Sequence, residues 1–157
     1  MTDISIPETS EYVPLLSALI GKDLSVGPNE PASDPSSMAG FLHIFVDDDD
    51  KPVMLAGAEA PLAYNMGAAL ALIPKARAED AAKSAEIDED LYENYFEIMN
   101  VLTRVVNEAG GDHVRLVPGS TVDPDAIPAA ASGRSCTIGV DGYGEGKLSF
   151  WLLGEAA

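Results

Sequence analysis

Cysteine occurs once in this chain, at Cys136, and histidine only twice, at His43 and His113. One thiol cannot close an internal disulfide, and nothing points to an oxidising compartment. The two histidines fall on different predicted strands with no cysteine pair beside them, which argues against a zinc site. A serine triad has to recruit one of them, and no strand-turn-helix segment of the G-x-S-x-G type presents a serine. Cations are equally scarce: 9 Lys and Arg stand against 26 Asp and Glu, a formal net charge of -17 at pH 7. Nucleic acid and anionic membranes need clustered cations, so neither is an expected partner, whereas a basic-faced protein is compatible with the charge. Solubility alone also accounts for the acidity. No apolar run reaches the roughly 20 residues of a bilayer span, so no membrane insertion is expected. The longest run, around Ala60 to Ile73, is interrupted by Asn65. The opening residues MTDISIPETSEY lack a basic segment followed by an apolar run, so the expectation is a cytoplasmic protein without a signal peptide.

What the chain does have is a core: 46% of its 157 residues are hydrophobic, enough for one domain spanning 1–157. Pro7 to Gly21 is expected to form a helix capped by Thr9 or Ser10, with Val13, Leu16, Leu19 and Ile20 as its apolar stripe and Pro14 near the first turn. The proline-rich stretch 27–37 predicts a loop. Gly40 to Val46 (GFLHIFV) predicts a strand buried on both faces, paired through an acidic turn, Asp47 to Asp50, with a second strand from Val53 to Ala58. Pro61 to Ile73 predicts a buried helix and Pro74 to Ala85 a helical linker. A long helix follows from Ile87. His113 to Val117 alternates as a strand, 118–133 predicts a loop, and Ser135 to Asp141 with Lys147 to Leu153 predicts a hairpin around GYGEG. The order is α-β-β-α-α-β-β-β. Strands arriving as hairpins imply an α+β fold, with helices on an antiparallel or mixed sheet.

Two acidic or glycine-rich segments mimic ligand loops and fail on inspection. Asp47 to Asp50 lacks the spaced ligands and sharp glycine turn of an EF-hand, so a solvated turn is expected. DGYGEGK lacks the lysine-hydroxyl pair and following helix of a phosphate loop. His43, set between phenylalanines, is expected to be a satisfied core residue.

The stretch Ile87 to Gly111 carries two stripes at alternating steps of four and three. Leu91, Tyr95, Ile98, Leu102, Val105 and Ala109 form an apolar seam, and Glu93, Glu97, Asn100, Arg104 and Asn107 a polar one. Glu97 and Asn100 lie one turn apart, where a carboxylate and a carboxamide can engage one partner together. Asparagine costs on the order of 0.6 kcal/mol against alanine inside a helix, which points to a use for Asn100. By spacing alone, the polar stripe reads first as the solvated side of an amphipathic helix.

Glu93-x-x-x-Glu97-x-x-Asn100, with Pro124 downstream, resembles the signature of the CheC/CheX/FliY family of chemotaxis phosphatases. The order of elements across most of the chain is similar to a single CheX-type module. The resemblance implies a protein phosphatase acting on the aspartyl phosphate of a phosphorylated receiver domain of CheY type. It gives Asn100 the role of orienting the attacking water and Glu97 that of contacting the receiver's lysine, with Glu93 and Arg104 as further partner contacts. It implies no cofactor or metal of the chain's own, since magnesium comes with the receiver. It also implies a homodimer through sheet pairing, with the terminal hairpin carrying Trp151 as the edge. Around Asn100 the chain departs from the family's small residues, with Met99 before it and Val101 to Arg104 after. Bulk at Met99 and Arg104 favours an alternative, a non-catalytic module of the same fold that binds a receiver or a flagellar or signalling protein.

Overall fold

The computed structural model describes residues 4–32, 34–37, 39–108, 111–117 and 130–153. The elements run α1 (Thr9–Ile20), β1 (Leu24–Val26), β2 (Glu30–Pro31), a 3-10 turn (Pro35–Ser37), β3 (Gly40–Val46), β4 (Pro52–Glu59), α2 (Ala60–Leu70), α3 (Lys75–Lys83), α4 (Glu89–Glu108), β5 (Arg115–Leu116), β6 (Ala130–Val140) and β7 (Gly144–Leu153). All pairings are antiparallel within one seven-stranded sheet of order β1-β6-β7-β4-β3-β5, with β2 also on β6. The fold is α+β, as its hairpin order implies.

Several boundaries differ from the sequence reading for identifiable reasons. The cap of α1 is Glu8, whose capping box with Glu11 takes the role expected of Thr9 or Ser10. That start places Pro14 beyond the first turn. Tyr12, Leu16 and Ile20 form the buried stripe of α1, and Leu19 faces solvent. The expected loop 27–37 contains β2, and β1 precedes it; at three and two residues both are too short to show a period, and they are held on β6 by backbone pairing. The expected strand at 113–117 is only Arg115–Leu116, prolonged by Val117 N–H donating to Ile44 C=O. Ala109, Gly110 and most of the expected loop 118–133, including Pro124, lie outside the described residues.

The terminal hairpin is longer than expected, turning at 141–143 so that Gly144 and Gly146 belong to β7. A Cβ on Gly146 would stand 2.8 Å from the Leu62 Cβ, so this glycine admits α2 against the sheet. Most of the hairpin is interior to the described sheet. β7 lies between β6 and β4, the outer side of β6 is paired with β1 and β2, and Trp151 is buried. Trp151's strand is therefore interior to the described sheet and is not itself the edge that the sequence reading assigned to it.

The helices share one face of the sheet. Phe45, Met54, Ala56, Ala58, Phe150 and Ile138 meet Leu62, Met66, Leu91, Tyr95, Ile98 and Leu102 in the main core. The opposite face carries a smaller apolar cluster of Leu42, Leu55, Trp151 and Leu153, which is why β3 and β4 read as apolar on both sides. The acidic turn is more than a solvated tip. Asp47 Oδ1 accepts from the Asp49 and Lys51 amides, Asp48 meets His113 at 3.1 Å, and Asp50 pairs with Arg115. These exposed pairs fasten the turn to β5 while contributing little energy each.

Candidate functional site

Three sets of contacts fix α4, and all lie on its rear or at its ends. At the start, Asp88 accepts from the Leu91 amide at 3.2 Å as an N-cap. Arg77 of α3 donates a fork to the same carboxylate at 2.9 and 3.0 Å and reaches Asp90 at 3.1 Å. Hydrogen bonds from Arg77 hold the Asp88 carboxyl below its ordinary range. Along the rear, Gly67 lets α2 approach so closely that a Cβ there would sit 2.3 Å from the Leu91 carbonyl oxygen. Beside that contact Asn94 donates to the Gly67 carbonyl at 3.2 Å. At the end, Asn107 exchanges two hydrogen bonds with Val114, donating to its C=O at 3.0 Å and accepting from its N–H at 2.9 Å.

Beneath the helix, Tyr95 and His43 share a hydrogen bond of 2.9 Å inside an aromatic group with Phe41, Tyr92 and Phe96. Burial pushes the His43 pKa down to about 4, and burial pushes Tyr95 well up, so both are neutral near pH 7. His43 is the satisfied core residue its surroundings imply. It provides no proton to the surface.

The outward side of α4 presents Glu93, Glu97, Asn100 and Arg104, all exposed. Glu97 and Asn100 stand one turn apart on the same face. No described ion pair includes Arg104, Glu93 or Glu97. Two members of the sequence reading change character. Asn107, assigned to the polar stripe, is half-buried and serves as the clamp on Val114. Met99, expected to crowd Asn100, is 0% exposed and belongs to the core, so it leaves the surface around Asn100 open. Arg104 is the bulk that remains there. Sequence reasoning also passed over Tyr92 and Phe96, whose i,i+4 spacing flanks the polar stripe.

The chemical capacity of this surface is narrow. A carboxamide offers two donors and an acceptor without charge, so it can hold a water beside an anion. A carboxylate one turn away can take a cation. Neither is a nucleophile activated by a neighbouring base, and among the described residues no group of three or more His, Cys, Asp or Glu is placed to hold a metal ion. No helix among them is long and apolar enough to cross a membrane.

No protein-family model and no curated protein sequence matches the chain. Solved structures do. FliY from Thermotoga maritima superimposes with a TM-score of 0.60 at 12% identity, over 92% of this chain and 83% of that one. The chemotaxis protein CheX from Desulfovibrio desulfuricans gives 0.52 at 12% identity, over 92% and 95%. A chain of the FliG–FliM complex from H. pylori gives 0.59 at 8% identity, over 92% and 86%. Identities this low speak for architecture alone, and the chain has the CheC/CheX/FliY fold.

Proposed function

We propose that this protein is a phosphatase for the aspartyl phosphate of a CheY-type receiver domain, with Asn100 holding the attacking water and Glu97 engaging the receiver's lysine. The observation that carries this reading is the side-by-side exposure of Glu97 and Asn100 on a helix whose other side is locked in place. In the reaction, a water oxygen attacks phosphorus in line, the bond from phosphorus to the aspartyl oxygen breaks, and the receiver's carboxylate and inorganic phosphate leave. The demand on the phosphatase is position, since charge neutralisation comes from the magnesium and lysine of the receiver. A neutral carboxamide meets that demand without the repulsion that a carboxylate brings to a phosphate. Rigid seating of α4 supports it, because a misplacement of about 1 Å costs on the order of 100-fold in such chemistry. The test is the lifetime of the phosphoryl group on the host's receiver domains with wild type and with Asn100→Ala. Shortening by wild type that Asn100→Ala loses supports the proposal; an unchanged lifetime on every receiver removes it.

A second reading is a non-catalytic module that binds a receiver or a flagellar or signalling protein. Arg104, exposed one turn beyond Asn100, favours it, and the fold likeness to a chain of a FliG–FliM complex agrees with it. Met99 no longer does. Capture of a partner that survives loss of both Glu97 and Asn100, with no hydrolysis, selects this reading.

A further inference from the structure

The carboxylates of α4 have a second regularity. Glu89, Glu93 and Glu97 follow one another at four-residue steps, a row about 12 Å long on the exposed side of the helix. Like charges at i,i+4 repel, and no described ion pair relieves any of the three. Alongside the row runs a cleft of about 670 Å³. Its floor is made by the half-buried rings of Tyr92 and Phe96, stacked with centroids 6.2 Å apart, and Ile87, 47% exposed, stands at one end. Phe96 rests edge-on against the buried His43 ring at 5.5 Å, so the floor is backed by the core. Among the described residues no Lys or Arg lines the cleft.

We propose that this cleft receives a lysine or arginine side chain of the protein docked at Glu97 and Asn100, a second basic contact beyond the one assigned to Glu97. An apolar floor with an anionic rim is complementary to a side chain that is itself two-part. The aliphatic stem covers Ile87 and the rings, and the cation lies over an aromatic face and between the carboxylates of Glu89 and Glu93. An apolar side chain leaves the row unpaired, and an acidic one adds to its repulsion. Phe96 lies one turn before Asn100, so a partner seated over Asn100 reaches the cleft without a gap. The inference takes its partner from the proposed function, and the two separate experimentally.

The experiment titrates the host's CheY-type receiver domains, held in the phosphorylated form with beryllofluoride, against wild type, Glu89→Gln/Glu93→Gln and Asn100→Ala at low and high salt. Hydrolysis of the phosphorylated receivers is followed in parallel. The double variant is expected to weaken Kd about tenfold at low salt, to lose most of the salt dependence, and to move KM more than kcat. Both substitutions are isosteric on exposed positions, and a thermal melt confirms the fold. Wild-type binding by the double variant at both salts, with hydrolysis still dependent on Asn100, overturns the cleft and leaves the phosphatase. Weakened binding with a phosphoryl lifetime indifferent to Asn100 keeps the cleft and overturns the phosphatase. Failure of every receiver to bind wild type overturns both.

Discussion

The two sides of α4 are built on opposite rules. The rear is held by packing and by directional bonds: the close pass at Gly67, the Asn94 and Asn107 clamps, and the Tyr95–His43 pair under the helix. The front presents Glu93, Glu97, Asn100 and Arg104 with no described ion pair to the rest of the chain. A helix of this kind fixes where its front points without using the front to do so. Substitutions on the rear should therefore register in stability, and those on the front in binding and turnover.

The largest break in that division is expected from Gly67→Val. The new Cβ lies 2.3 Å from the Leu91 carbonyl oxygen, a backbone atom that cannot rotate away. Overpacking costs about 1–3 kcal/mol and more where backbone must move, while the helix-propensity gain over glycine returns only a few tenths of a kcal/mol. A loss of about 3 kcal/mol is expected, about 9 °C in Tm for a domain of this size. A thermal melt within about 2 °C of wild type would show that the pass at Gly67 does not seat α4.

Next is the acid limb of stability. The folded pKa of His43 is about 4, below its ordinary value of 6.5, because burial disfavours the imidazolium. The unfolded chain therefore takes up a proton, as pH falls below about 6.5, that the folded chain refuses. The stabilisation is fully present above that pH and is lost as pH falls toward about 4, amounting to about 3 kcal/mol. Tyr92 and Tyr95, the titratable groups facing the ring, stay neutral over this range. In urea titrations between pH 7 and 4, His43→Gln should show a flatter decline than wild type. Parallel declines would place the acid sensitivity elsewhere.

How much of this was legible beforehand follows from what periodicity can encode. The seam of α4 from Leu91 to Val105, the double-sided strands β3 and β4, and the place of Glu97 and Asn100 on one exposed face are all written as spacing, and the structure keeps them. β1 and β2, at three and two residues, are too short to carry such a signature, and they are held by backbone hydrogen bonds to a strand more than 100 residues later. Met99 misled because it adjoins Asn100 in sequence, yet consecutive helical residues point about 100° apart. Asn107 fits the polar stripe by spacing, and only the return of the chain at Val114 turns it inward.

Asn107→Ala then sharpens the boundary between the sides. It removes two hydrogen bonds and leaves the Val114 N–H and C=O without those partners in a half-buried setting. A loss of about 1–2 kcal/mol is expected by chemical denaturation. A neutral result would return Asn107 to the front.

The smallest effect on stability is expected from Asn100→Ala, and its sign is informative. Asn100 is exposed and no described hydrogen bond uses its side chain, so truncation deletes no described hydrogen bond. Alanine is the better helix former by about 0.6 kcal/mol, so the variant should melt slightly above wild type, by about 2 °C at most. A residue that lowers stability where it stands, on a helix otherwise seated by its rear, fits the contact that the proposed function gives it. Asn100→Ala should therefore gain stability and lose phosphatase activity in one substitution. If it instead lost about 1 kcal/mol or more, Asn100 would be a structural residue, and the separation of the two sides of α4 would fail at the position where the proposed chemistry depends on it.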